Sequence, residues 1–162
     1  MNSILESAGE GDYVLMQFGH NDSMLASSDG RGVEVDQYKL NLKAFVTNVR
    51  KTHATPVILT SIPRYSVSGG VLLCGDGDGI QAYRDAAIEV AEEMDVAYID
   101  TASKMVEKTA DYDADKMSAM FVDEGSDARV HLTESGAVFM AELIAEEIKN
   151  SAKINVLKDY MK

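Results

Sequence analysis

Three short apolar runs stand out in the chain: residues 12–18 (DYVLMQF), 56–61 (PVILTS) and 96–99 (VAYI). None alternates cleanly between apolar and polar positions. That is the mark of strands covered on both faces, as in a parallel sheet. Between and after them the apolar residues fall at helical spacing. Val35, Tyr38, Leu42, Phe45, Val46 and Val49 make one stripe, and Tyr83, Ala87, Val90, Ala91 and Met94 a second. Ala137, Ala141, Ile144, Ala145 and Ile148 make a third, with Met140 on the same face. A shorter helix is expected after Asp100, which can cap it. Ile154, Leu157 and Met161 mark a last amphipathic turn or a frayed end across residues 150–162.

Strand and helix in alternation predict an α/β domain with a parallel sheet. Right-handed crossovers place every strand-to-helix loop at the carboxyl edge of such a sheet, where ligands bind. The turn Gly19-His20-Asn21-Asp22 follows the first strand, residues 61–64 the second, and Asp100 the third. His131 precedes the last helix. The expectation is that residues 20–22 and His131 converge on one edge.

The chain has 162 residues, enough for one domain with a substantial core, and no linker, repeat or low-complexity tract divides it. A single domain over residues 1–162 is therefore expected. Fifteen basic against 27 acidic residues give a formal charge of −12, which disfavours nucleic acid and anionic membrane as partners. No apolar run approaches the roughly 18 residues that span a bilayer. Residues 1–10 have neither a basic nor an apolar signal-peptide region, so a cytoplasmic location is expected. Cys74 is the only cysteine and sits in an apolar run, where it reads as a packing residue.

Two positions carry candidate chemistry. His131, at the entrance to a helix on a ligand edge, can take and return a proton near neutral pH. A surface histidine near a cap fits its position equally well. Asn21 offers an amide N–H₂ that can stabilise an oxyanion, although Asn also caps turns. Asp22 fits a turn residue that binds backbone N–H groups, Gly19 shapes the same turn, and His20 reads as a loop-shaping residue. Asp111, Asp113 and Asp115 begin like a calcium loop, but Lys116 stands where Gly is needed and Val122 where the bidentate Glu should be. The run Gly75-Asp76-Gly77-Asp78-Gly79 has too few ligands for a cation and reads as a loop before a helix.

These residues resemble those of a known family. GDYVLMQFGHND is similar to the third conserved block of the SGNH (GDSL-type) hydrolases, whose signature there is Gly-x-Asn-Asp. HLTESGA, ahead of an apolar helix, resembles the fifth block, which carries the catalytic histidine. The wording QFGHND, the helix at residues 42–50 leading to TPVILTSIPR, and the Gly-Ala after the histidine are closest to rhamnogalacturonan acetylesterase-like members. The resemblance implies a flavodoxin-like, three-layer α/β/α fold with a parallel sheet. It also implies a serine ester hydrolase acting on acetylated carbohydrate or another small ester through a Ser-His-Asp triad. His131 would be the base and Asn21 one oxyanion donor. His20 and Arg64 would contact substrate. No metal or organic cofactor is implied.

The sequence departs from that pattern twice. The family's Gly-Asp-Ser nucleophile turn and its oxyanion glycine precede the Gly-x-Asn-Asp block, and neither motif occurs here, where ten residues precede Gly11. Ser61, Ser103, Ser126 and Cys74 lie in no comparable turn. The triad acid should stand three residues before the histidine, where Ala128 is found. Asp127, one position earlier, is the first candidate, with Asp123 and Glu124 as fallbacks. A fold lacking its first two strands would leave residues 12–18 as an open edge, and a homo-oligomer paired through that strand is expected. The competing readings are a catalytically inactive remnant that binds carbohydrate or assembles with itself, and a flavodoxin-like ligand-binding domain. The latter is disfavoured because no phosphate-cradling Gly-rich loop follows a strand.

Overall fold

The computed structural model describes residues 2–25, 30–74 and 80–160. In chain order the elements are α1 (Asn2–Ser7), β1 (Tyr13–Gln17), α2 (Val35–Lys51), β2 (Thr55–Leu59), β3 (Arg64–Ser66), β4 (Val71–Leu73), α3 (Ile80–Glu93), β5 (Ala97–Ile99), α4 (Thr101–Lys108), α5 (Ala114–Ser118), β6 (Ala128–Arg129) and α6 (Glu134–Asn150). A 3₁₀ helix covers Asn155–Tyr160. The fold is α/β with a parallel sheet, as the strand and helix pattern requires. Contacts divide the chain into two compact units, Met1–Ser61 with Gly79–Asp100, and Ile62–Asp78 with Thr101–Lys162.

The first unit holds the parallel sheet, in the order β1-β2-β5. Its three strands are the three apolar runs. Tyr13 to Gln17 pair in register with Thr55 to Leu59, and Val57 to Leu59 with Ala97 to Ile99. Pro56 is tolerated in the middle strand because of this register. Thr55 N–H donates to the Asp12 carbonyl, so residues 55, 57 and 59 bond β1. The ring nitrogen of Pro56 therefore faces the β5 side, one position before β5 begins to pair.

One face of the sheet is covered by α2 and α3. Tyr38, Leu42, Val46 and Val49 of α2, and Tyr83, Ala86, Ala87, Val90 and Ala91 of α3, form a buried cluster with Met16 and Ile58. The Tyr38 and Tyr83 rings meet edge-on with centroids 5.3 Å apart. Lys39–Glu89 and Lys43–Glu93 ion pairs, each 2.6 Å, tie the outer sides of the two helices. Arg50 and Lys51 lie in the last turn of α2, where positive charge complements the helix dipole. Asp100 is held by Arg84 (Nε 3.0 Å, Nη2 2.5 Å) and by the Thr60 hydroxyl (3.1 Å), which locks α3 to the ends of β2 and β5.

The second unit holds a small antiparallel sheet in the order β4-β3-β6 and the helices α4, α5 and α6. Its core is Tyr65, Met105, Met117, Met120, Phe121, Met140 and Leu143, with the Tyr65 and Phe121 rings stacked at 5.4 Å. The buried side of α6 is Gly136, Met140, Leu143 and Ile148, whereas Ala137 and Ala141 are exposed. The alanine stripe expected from the sequence is thus rotated. Gly136 sits so close to Met120 that a Cβ would strike its carbonyl oxygen, and this contact sets which face turns inward. Ile154 is buried ahead of the 3₁₀ helix; Met161 lies outside the described residues. No helix among the described residues is long and apolar enough to cross a membrane.

Candidate active site

Two sequence segments carry the candidate chemistry, the Asn21 turn in the first unit and the His131 loop in the second. In the first, β1 ends at Gln17, whose side-chain amide donates to the Thr60 carbonyl at 2.8 Å. The next carbonyl, that of Phe18, accepts from the Ser61 hydroxyl at 2.8 Å and the Tyr38 hydroxyl at 3.2 Å. These bonds fix the exit of the strand. Gly19 then takes φ +133°, and a Cβ there would come 2.7 Å from Ser61 Oγ, so the position needs glycine on both counts.

Residues 20–23 close a tight turn. Ser23 N–H donates to the Gly19 carbonyl (2.9 Å), the Ser23 hydroxyl to the His20 carbonyl (2.8 Å), and Met24 N–H to the Asn21 carbonyl (3.1 Å). Val33 N–H reaches the Asp22 carbonyl at 2.9 Å and returns the chain to the start of α2. Asn21 is exposed, and its Oδ1 faces Arg31 Nη1 at 3.5 Å, so the amide N–H₂ is the end turned away from that cation. The Tyr38 hydroxyl is pushed well above the usual tyrosine range, first by burial and then by the negative charge of Asp22. It remains a neutral donor to Phe18. Gly19, Asn21 and Asp22 thus share one braced turn with the half-buried His20.

In the second unit the histidine is placed by strand-like pairing. Phe121 and Leu132 form an antiparallel bridge, Val122 N–H donates to the His131 carbonyl (2.8 Å), and Thr133 N–H to the Met120 carbonyl (3.0 Å). Thr133 is the N-cap of α6, its hydroxyl accepting from Gly136 N–H and donating to the Ala119 carbonyl at 2.8 Å. The run HLTESG therefore has a physical logic: a histidine on the bridge, a threonine cap, and a glycine where the helix meets the Met120 carbonyl. The His131 side chain is 72% exposed, which leaves the imidazole open to a reactant.

The carboxylate on His131 Nδ1 is that of Glu124. Glu124 also accepts from Val130 N–H at 3.4 Å, and its carboxyl is held below the ordinary range, chiefly by the hydrogen bond from His131. Asp127, the acid that sequence spacing puts first, is engaged elsewhere. It accepts from Ser68 N–H at 2.7 Å and from the Ser66 hydroxyl at 3.0 Å, and these bonds, Ser68 N–H foremost, lower its pKa. Asp123 pairs with Arg129 at 2.9 Å. The three acids of the loop thus take three different partners. Asp127 fastens the β3–β4 turn to β6, and Arg64 lies at the start of β3. Asp113 caps α5, accepting from Lys116 N–H at 2.8 Å, a structural use of the acidic run that starts like a calcium loop. The glycine-rich run 75–79 lies outside the described residues.

With Nδ1 bound to a carboxylate, an imidazole carries its proton there and presents the lone pair of Nε2, the arrangement of a general base. Sequence spacing puts Asp127 first and brings in Glu124, seven residues before His131, only as a fallback. Its only sequence signal is its place in an acid-rich loop ahead of a histidine.

Comparison with known proteins agrees with this reading of fold and motifs. The chain is 29% identical over 150 residues to the probable rhamnogalacturonan acetylesterase YesY of Bacillus subtilis, covering 92% of this chain and 67% of the relative. It is also 29% identical over 162 residues to the rhamnogalacturonan acetylesterase RhgT of the same organism, covering 92% and 66%. It thus spans about two thirds of the length of the curated relatives it matches. Among solved structures, the Bacillus subtilis protein YXIM superposes with a TM-score of 0.75 at 21% identity, over 92% of this chain and 40% of that one. Axe2, an acetylxylan esterase from Geobacillus stearothermophilus, gives 0.63 at 20% identity over 84% and 58%. The model of the GDSL-like lipase/acylhydrolase family matches residues 3–138, which takes in both the Asn21 turn and the His131 loop. On that match, the chain belongs to the GDSL-like lipase/acylhydrolase family.

Proposed function

We propose that this chain carries the base and an oxyanion donor of a carbohydrate acetylesterase. The observation that carries this reading is the Glu124 carboxylate on His131 Nδ1 of an exposed imidazole. Family membership and the two rhamnogalacturonan acetylesterase relatives support ester hydrolysis on acetylated sugar. In the proposed mechanism Glu124 holds the ring so that Nε2 accepts the proton of the attacking hydroxyl, then returns it to the leaving sugar oxygen. The Asn21 amide donates to the oxyanion of the tetrahedral intermediate, a contribution of roughly 3 to 4 kcal/mol where one such donor is removed. His20 and Arg64 are the proposed contacts to the sugar hydroxyls.

The 162 residues contain no Gly-Asp-Ser turn, so on their own they supply no nucleophilic serine to His131. Covalent catalysis is then lost, and turnover is expected to be weak. The test is hydrolysis of p-nitrophenyl acetate by the chain and by His131→Ala. A slow rate without an initial burst, abolished in the variant, is the expected result; equal rates for the two proteins would contradict it. The same missing motif favours a second reading, a domain that binds acetylated carbohydrate without hydrolysing it. Saturable binding of acetylated rhamnogalacturonan fragments with no release of acetate distinguishes that case.

A further inference from the structure

We infer that Arg129 is a positioning residue: through Asp123 it holds the loop that presents Glu124 to the His131 ring. The inference deepens the proposed role of His131 as an oriented base and rests on that reading. The residues concerned all lie in the second unit. Residues 122–131 leave and re-enter the fold at one point. Val122 N–H donates to the His131 carbonyl, and the Phe121–Leu132 bridge stands just outside it. Glu124 comes from the outgoing limb of that loop and Arg129 from the returning one.

Arg129 is itself firmly placed. Its backbone pairs with Tyr65 in the small sheet, and its side chain is only 11% exposed. Nη1 donates to the Ser118 hydroxyl at 3.2 Å, at the end of α5, and Nη2 lies 2.9 Å from Asp123 Oδ1. The same Oδ1 accepts from Gly125 N–H at 3.0 Å, and Gly125 takes φ +70°. One carboxylate oxygen thus closes the turn from Asp123 to Gly125 and ties it to a buried cation. Glu124 is the middle residue of that turn. Its Oε2 accepts from Val130 N–H at 3.4 Å, and its Oε1 meets His131 Nδ1.

Burial and charge indicate what this arrangement does. The Asp123 side chain is 73% exposed, so its ion pair is screened and adds little to global stability. Arg129 Nε is buried and has no hydrogen-bond partner among the described residues, a cost that an aliphatic side chain would not carry. A cation kept at such a cost, in a pair that contributes little to folding, is accounted for by what it holds in place. Asp123, Glu124 and Asp127 stand within five residues, and like charges drive such a run apart. Pairing Asp123 with Arg129 offsets that repulsion and fixes the turn from which Glu124 reaches the imidazole. The bond made at Nδ1 decides which tautomer a neutral ring adopts, so holding Glu124 in place keeps Nε2 as the acceptor.

The test is the ¹⁵N spectrum of the His131 ring, recorded above the pH range in which histidine titrates and assigned by comparison with His131→Ala. Wild type, Arg129→Met, Arg129→Lys and Asp123→Asn are compared, with thermal melts on the same samples. The wild-type ring should carry its proton mainly on Nδ1. Arg129→Met should lower the ratio of Nδ1–H to Nε2–H rings by at least about fivefold, the scale of one weakened charge-assisted hydrogen bond. Arg129→Lys, which keeps a cation for Asp123, should restore most of it. Asp123→Asn keeps an oxygen for Gly125 N–H but removes the charge, and should lower the ratio with little change in melting temperature. This exposed substitution decides the matter if Arg129→Met fails to fold. A ratio unmoved in Asp123→Asn, a ratio lowered equally by Met and by Lys, or a wild-type ring protonated on Nε2 overturns the proposal. Hydrolysis of p-nitrophenyl acetate is read separately. No rate in any of these proteins, with the ratio moving as expected, counts against the esterase reading and supports the placement by Arg129. A His131-dependent rate with an indifferent ratio overturns the role of Arg129 and leaves the esterase reading standing.

Discussion

Asp127 and Glu124 stand three residues apart in one exposed loop, yet they do different work. Asp127 ties the Ser66–Ser68 turn to β6, and Glu124 holds the His131 ring. The sequence offers His131 and the acid-rich loop ahead of it, but spacing alone favours Asp127, because a loop's path is fixed by backbone bonds that no periodicity records. The pH dependence separates the two roles. The Asp127 carboxyl is held below its ordinary range in the folded chain, so the unfolded chain binds protons first as pH falls. Its stabilisation is complete above the usual aspartate range near about 4 and disappears as the pH drops through that range towards the lowered value. Asp127→Asn should therefore lower the melting temperature at neutral pH without changing esterase rate, and the gap from wild type should close in acid. Thermal melts at a series of pH values check this.

Strands and long helices could be read from the sequence because each has a run or stripe of apolar residues that only one geometry buries. The small sheet of β3, β4 and β6 could not, since strands of two or three residues have no period to detect. Gly136 shows a second limit. As a sequence signal it is only a small residue in a helix, but its approach to the Met120 carbonyl sets the rotation of α6 and, through Thr133, the position of His131. Replacing it with Ala should cost about 1 to 3 kcal/mol, as overpacking does elsewhere. Thr133→Ala, which removes the cap, should cost about 1 kcal/mol. Both are measured by chemical denaturation, and both should lower activity beyond their effect on stability by shifting the His131 loop.

The whole chain combines an acidic surface with an uncharged, exposed strand edge. Residues 13–18 carry no ionisable acid or base other than the tyrosine hydroxyl, and Leu15 and Phe18 there are exposed. Composition alone revealed the first property. The second was expected only through the family resemblance, because a run of apolar residues does not by itself state whether it lies in the middle of a sheet or at its margin; among the described residues β1 ends the order β1-β2-β5.

The measurement that bears most directly on the catalytic account is the ¹⁵N spectrum of the His131 ring in the wild type and in Glu124→Gln. With Glu124 on Nδ1, the neutral ring should carry its proton on Nδ1, and the Nδ1 signal should shift on replacement of Glu124 but not on Asp127→Asn. A neutral ring protonated on Nε2, or a spectrum indifferent to Glu124, would contradict the assignment of His131 as an oriented base.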